Sequence, residues 1–219
     1  MISFKTDFSG NDSGDFSNNE CLGVVLAGGL SSRMGKDKAK LLRNTTDMLN
    51  FSKQILINSG INNIVVSGDE YDIPDKVKKS GPVGGIYSVL SSFPQAKSLL
   101  ILPVDLPFMT TKILANLRIK GELSQKATYF EGHNIPLYLP NNAYIEMFFS
   151  TVFSNNLLAN DFLTNSGKVS GKTTKKNGPS ITALLQQIPH QAIQCADSKA
   201  LFNTNTPEQW QQATAQLNF

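Results

Sequence analysis

The chain has 219 residues, 40% of them hydrophobic and 17% charged, and its 20 Lys and Arg against 17 Asp and Glu give a formal net charge of +3. That length suits one generous α/β domain, and so small a charge argues against nucleic acid or a membrane surface as partner. With no apolar run long enough to span a bilayer, no secretory pattern at the N-terminus, and only Cys21 and Cys195 for thiol chemistry, a cytoplasmic chain with reduced cysteines is expected.

Residues 1–20 are rich in Ser, Asn, Asp and Gly without a sustained period, which predicts a flexible extension ahead of one domain over 21–219. Leu22 to Ala27 is short and apolar, as a strand buried on both faces should be. It runs into Gly28-Gly29-Leu30-Ser31-Ser32-Arg33-Met34-Gly35-Lys36-Asp37-Lys38. Glycine lets backbone N–H groups approach phosphate oxygens, and Arg33 and Lys38 offset the charge, so this loop is the candidate polyphosphate site. Neither G-x-x-x-x-G-K-[ST] nor G-x-G-x-x-G can be drawn through it. A Gly-Gly pair alone would be an ordinary strand-to-helix turn; the run through Arg33, Met34-Gly35 and Asp37-Lys38 is more specific.

Thr45 or Thr46 can cap a helix carrying Met48, Phe51 and Ile55, which Gly60 stops. Asn63 to Ser67 follows as a second strand, giving a β-α-β order and hence an α/β fold with a parallel sheet. Ser80-Gly81-Pro82-Val83-Gly84-Gly85 is a second glycine-rich turn, leading into a helix with Ile86, Val89 and Leu90. Ser98 to Val104 is the most apolar stretch and ends at Asp105. Ligands of open α/β sheets bind outside the carboxyl ends of strands, so a carboxylate there is well placed to hold Mg²⁺ against nucleotide phosphates. A loop or helix-capping Asp is the ordinary alternative, but Pro103 and Pro107 on either side point to a fixed local geometry.

Thr110 or Thr111 caps the next helix, with Ile113, Leu114 and Leu117 inward. Ala127–Phe130 and Ile135–Leu139 read as a hairpin around Glu131-Gly132-His133-Asn134. A helix over 142–153 is followed at 154–178 by a polar stretch with Lys168, Lys172, Lys175 and Lys176, which predicts a mobile insertion. A helix over 179–188, a strand over 191–195 and a last helix opened by the capping box Thr206-Pro207-Glu208-Gln209 complete the chain. His133 reads as a surface or packing residue. No spacing supports Ser/His/Asp catalysis or a zinc site.

The run Leu26-Ala27-Gly28-Gly29-x-Ser31-x-Arg33-Met34-Gly35-x-Asp37-Lys38 resembles the signature loop of the molybdenum cofactor guanylyltransferases. The likeness continues through Gly81-Pro82-Val83-Gly84-Gly85, through Asp105-Leu106-Pro107-Phe108, and through Asn203-Thr204-Asn205-Thr206-Pro207-Glu208. It implies a Rossmann-like three-layer sandwich with a mostly parallel sheet, of the nucleotide-diphospho-sugar transferase type. It implies Mg²⁺-dependent transfer of GMP from GTP to molybdenum-molybdopterin, forming the guanine dinucleotide cofactor and pyrophosphate. Other molybdenum cofactor proteins are implied as further partners.

Carried over residue by residue, the resemblance implies that Leu26, Ala27 and Gly28 offer backbone to the nucleotide. Lys38 contacts its phosphates with Arg33 close by, Asp75 lies near the nucleotide, and Asp105 binds Mg²⁺ as the metal ligand. Arg33, Lys38 and Asp105 would then be the catalytic residues, and Asn203 and Asn205 the molybdopterin side. Ser67 stands where the family often has an Asn that contacts the nucleotide. Arg43-Asn44-Thr45-Thr46-Asp47 replaces the usual Gly-x-Pro-Leu. A related transferase using CTP or a sugar phosphate, and a non-catalytic nucleotide-binding homologue, are the alternatives.

Overall fold

A computed structural model describes residues 20–28, 37–163 and 178–217. Its centre is a six-stranded sheet. The strands are β1 (Cys21–Leu26), β4 (Ile64–Ser67), β5 (Ser98–Pro103), β6 (Ala127–Phe130), β7 (His133–Pro140) and β8 (His190–Ile193). A separate hairpin pairs β2 (Leu42–Arg43) with β3 (Thr46–Asp47). The helices are α1 (Met48–Asn58), α2 (Gly81–Ser92), α3 (Thr111–Ser124), α4 (Ala143–Leu163), α5 (Ile181–Leu185) and α6 (Pro207–Leu217).

The sheet order is β4-β1-β5-β7-β6-β8. β1 runs parallel to both β4 and β5, and β8 parallel to β6; β7 alone runs against its neighbours. This is the mostly parallel α/β sandwich that the sequence predicts. Successive residues of β5 show why a continuous apolar run was needed. Leu99 and Ile101 face one core with Val83, Ile86, Phe149 and Leu184 of α2, α4 and α5. Leu100 and Leu102 face the other, with Leu56 and Leu114 of α1 and α3. Alternate side chains enter opposite layers, so both must be apolar. Fully burying each such side chain contributes about 1.5–3 kcal/mol.

The edge strand β4 is covered by its own following loop. The Asp72 carboxylate accepts the Val66 N–H at 2.9 Å, and Ser67 bridges to Ile73. An edge donor that would otherwise recruit another strand is thereby satisfied.

Several boundaries differ from expectation. Asp47, not Thr45 or Thr46, caps α1 by accepting the Asn50 N–H, because the helix begins at Met48 and Asp47 stands directly ahead of it. The second glycine motif lies within the first turns of α2 rather than ahead of it. β7 begins at His133, so the hairpin turn shrinks to Glu131-Gly132, with Gly132 at φ 77°. α5 and β8 are shorter than expected. α4 runs on to Leu163, into the stretch expected as a mobile insertion. Leu157, Leu158, Phe162 and Leu163 supply apolar positions that the polar composition of the stretch as a whole concealed. Residues 1–19 and 164–177, where the extension and the rest of that insertion were expected, lie outside the described residues. Among the described residues no helix is long and apolar enough to cross a membrane.

Candidate active site

Register brings three loops to one place. Leu26 pairs with Ser67 on one side and Pro103 on the other, so β1, β4 and β5 end together. The segments that leave them at Ala27, Gly68 and Val104 emerge side by side, at the carboxyl ends where α/β folds bind ligands.

The first two segments touch through backbone. Ala27 and Gly28 both donate their N–H to the Ser67 carbonyl, at 3.0 and 2.9 Å. A Cβ on Gly28 would lie 3.1 Å from Gly68 Cα, and one on Gly68, at φ 154°, would lie 2.9 Å from Gly28 N. Two glycines face each other because no side chain fits between the strand ends. The two amides are therefore committed within the fold. The Leu26 carbonyl is committed too, to the Val104 N–H at 3.3 Å. The Ala27 and Gly28 amides are thus not part of a phosphate cradle; the rest of the loop expected to form one, residues 29–36, lies outside the described residues. The Ser67 side chain is buried, and a Cβ on Gly85 would come within 2.7 Å of its hydroxyl.

The third segment carries Asp105. Lys38 donates to Asp105 Oδ2 at 3.1 Å and to Asn205 Oδ1 at 2.7 Å. The Lys38 and Asp105 side chains keep 16% and 15% of their surface exposed, so the pair is shielded but reachable. Asp105 Oδ1 is buried and has no hydrogen-bond partner among the described residues, and the same holds for Asn203 Oδ1. Leaving a buried polar atom unsatisfied costs about 1–3 kcal/mol, more for a charged group, which makes these oxygens candidates for ligand contact. A hard carboxylate oxygen with no protein partner fits Mg²⁺, a cation commonly held by one or two carboxylates with phosphates and water completing its shell. Among the described residues no three His, Cys, Asp or Glu converge.

The turn that carries Lys38 is held by Asp37. Its Oδ1 accepts the Ala39 N–H at 3.0 Å, capping the single helical turn at Lys38–Lys40, and its Oδ2 accepts the Tyr71 hydroxyl at 2.8 Å. Burial pushes the Asp37 carboxyl up, but the hydrogen bonds from Tyr71 and Ala39 and the nearby Lys40 outweigh it and hold the group below its ordinary value. Burial, then the Asp37 carboxylate, raises the Tyr71 phenol. Arg43 fixes the other side: its Nε donates to the Pro107 carbonyl at 2.7 Å while its guanidinium lies 4.1 Å over the Phe51 ring. The replacement of Gly-x-Pro-Leu thus clamps the β2–β3 hairpin to the loop that bears Asp105.

The C-terminal motif closes the site from outside. Thr204 donates both its N–H and its hydroxyl to the Asp105 carbonyl, at 2.9 and 3.2 Å. Asn205 is thereby brought to Lys38, and Asn203 to an open groove of about 560 Å³ shared with Phe108, His133, Lys199, Phe202 and Gln209. Within it the Lys199 ammonium stands 4.5 Å over the Phe108 ring, and Phe108 lies 6.0 Å from Phe202.

The sequence-predicted residues therefore divide. Lys38, Asp105 and Asn205 meet directly; Leu26, Ala27, Gly28 and Ser67 form the adjoining strand ends. Asp75 lies in the loop between β4 and α2, its N–H on Asp69 Oδ1 at 3.2 Å. Burial, then the Asp69 charge, raises its carboxyl. Arg33 falls in 29–36, outside the described residues. Asp37, Arg43 and Thr204 stand within the motifs noted in the sequence but had no role assigned there, and nothing in the sequence pointed to Tyr71.

A MobA-like NTP transferase domain matches residues 23–145. A molybdenum cofactor guanylyltransferase of Xanthomonas euvesicatoria pv. vesicatoria (strain 85-10) is 32% identical over 193 residues, 86% of this chain and 91% of that protein. Among solved structures, the molybdopterin-guanine dinucleotide biosynthesis protein A of Archaeoglobus fulgidus superposes with a TM-score of 0.63 at 17% identity, covering 90% of this chain and 98% of the other. The 2-C-methyl-D-erythritol 4-phosphate cytidylyltransferase of Thermus thermophilus superposes at 0.51 with 13% identity, covering 91% and 100%. These two likenesses concern the fold.

Proposed function

The chain belongs to the MobA-like NTP transferase family, and from that membership we propose that it transfers GMP from GTP to molybdenum-bearing molybdopterin. Its role as a nucleotidyltransferase is common ground with its relatives; the base, the metal and the acceptor are our reading. The observation that carries it is Lys38 set between Asp105 and Asn205 at the carboxyl ends of β1 and β5.

In this reading an oxygen of the molybdopterin phosphate attacks the α-phosphorus of GTP. A new P–O–P bond forms, the α–β bridge breaks, and pyrophosphate leaves with the bonding electrons. The attacking phosphate is already ionised at neutral pH, so no general base is required. That fits a site where, among the described residues, no histidine stands beside Lys38 and Asp105. What remains is positioning and charge neutralisation.

Lys38 turns its ammonium to the phosphates, and Arg33 adds a second cation. Asp105, with its free Oδ1, would hold Mg²⁺, whose charge would offset that of the polyphosphate. Leu26, Ala27, Gly28, Ser67 and Asp75 would border the nucleotide. Carbonyls at Ala27 and Gly28 would suit a base whose edge carries N–H donors, as that of guanine does. Asn203 and its groove, with Asn205 at the border, would take molybdopterin.

The test is pyrophosphate release by the purified protein with molybdenum-loaded molybdopterin and either GTP or CTP in Mg²⁺. Release with GTP, weak with CTP, is expected. Preference for CTP would sink the guanylyl reading, and GTP binding without turnover would leave only nucleotide binding.

A further inference from the structure

We infer that Gln209 is a positioning residue for Lys38, acting through Asn205; this rests on the reading above, in which Lys38 serves the phosphates. Gln209 stands in the first turn of α6. Its Oε1 accepts two backbone N–H groups, from Asn205 at 2.7 Å and from Thr206 at 3.1 Å, and its own N–H donates to Thr206 Oγ1 at 3.3 Å. The usual capping box satisfies donors at the start of a helix. Here the same side chain also reaches one residue further back, to Asn205, whose Oδ1 accepts from Lys38.

Asn205 is thus held from two directions. On one side Thr204 is bound to the Asp105 carbonyl, and on the other Gln209 holds the Asn205 amide. The ammonium of Lys38 is shared between Asp105 and Asn205, so the position of Asn205 decides where Lys38 rests. A lysine on four flexible carbons has no fixed direction of its own, and both of its acceptors must be fixed for it to have one. Loss of the Gln209 oxygen frees the Asn205 end of that bracket while leaving Asp105 untouched.

The experiment compares Gln209→Met, which keeps chain length and helix propensity but removes the oxygen, with Thr206→Ala, which removes the other half of the capping box. The full chain is assayed for pyrophosphate release at saturating GTP and molybdopterin, with thermal midpoints measured alongside. The expected result is a kcat about tenfold lower in Gln209→Met than in Thr206→Ala at a similar fall in midpoint, with Gln209→Glu restoring turnover because a carboxylate oxygen accepts the same amides. Equal kcat in the Met and Ala variants, or no rescue by Glu, would overturn the inference. Lys38→Ala is run in parallel. Unchanged turnover there would remove the underlying reading and this inference with it. Turnover that needs Lys38 yet is indifferent to the Gln209 oxygen would remove this inference alone.

Discussion

Lys38 and Asp105 lie 67 positions apart in the sequence and 3.1 Å apart in the fold. One follows β1 and the other follows β5, and the parallel pairing of those strands brings them together. The contact unites the cation of the glycine loop with the carboxylate of the most apolar strand, and Asn205 completes it from the C-terminal motif.

Removing either partner should therefore abolish function while sparing the fold. Lys38→Ala and Asp105→Asn are each expected to lower turnover by about 100-fold or more, the scale on which a single charge-stabilising group acts. Circular dichroism should be unchanged. The check is pyrophosphate release under saturating substrates.

Tyr71→Phe removes the hydroxyl that donates to Asp37 at 2.8 Å. The expected loss is about 1.5–3 kcal/mol of stability, the range for one hydrogen bond to a charged group. Activity should fall as well, because Asp37 caps the turn that carries Lys38. Denaturant titration and steady-state kinetics measure the two effects.

The same pair carries a pH dependence. The Asp37 carboxyl is held below its ordinary 3.8 in the folded chain. Its contribution is present above the unfolded value and is lost as pH falls through the folded one. Acid unfolding of Tyr71→Phe should accordingly begin at a higher pH than in the parent. Coincident acid transitions would count against the assignment.

Gly68→Ala places a Cβ 2.9 Å from Gly28 N at a φ of 154°. Strain of this kind costs about 1–3 kcal/mol, and the backbone that yields borders the site. The expected signature is a raised KM for the nucleotide together with a lower thermal midpoint. An unaffected KM would mean that the β1 and β4 loops do not line the nucleotide.

Arg43→Lys keeps the charge but cannot reproduce the Nε donation to Pro107 while lying over Phe51. A fall in kcat with little change in the nucleotide KM is expected, since the clamp holds the loop of Asp105 in place. Kinetics of Arg43→Lys beside Arg43→Ala test this.

The fold was legible where periodicity and burial agree. Ser98 to Pro103 could only be a strand buried on both faces, and Ile113, Leu114 and Leu117 could only be an inward stripe. Asp105 was legible because it closes such a strand. The links that build the site were not. Tyr71 reaches Asp37, and Arg43 reaches Pro107, through contacts over tens of residues that no local pattern encodes. The commitment of the Gly28 amide to Ser67 was likewise invisible, since glycine spacing tells that backbone comes close but not to what. α4 was cut short because polar residues outnumbered the apolar positions that continue the helix.

The most direct test is pyrophosphate release from GTP, dependent on molybdenum-loaded molybdopterin and on Mg²⁺, compared between the parent chain and Asp105→Asn. The expected result is release in the parent that GTP supports far better than CTP, and its near-complete loss in Asp105→Asn. Equal release in the two proteins, or release that CTP supports better than GTP, would contradict the placing of a guanylyl transfer at Lys38 and Asp105.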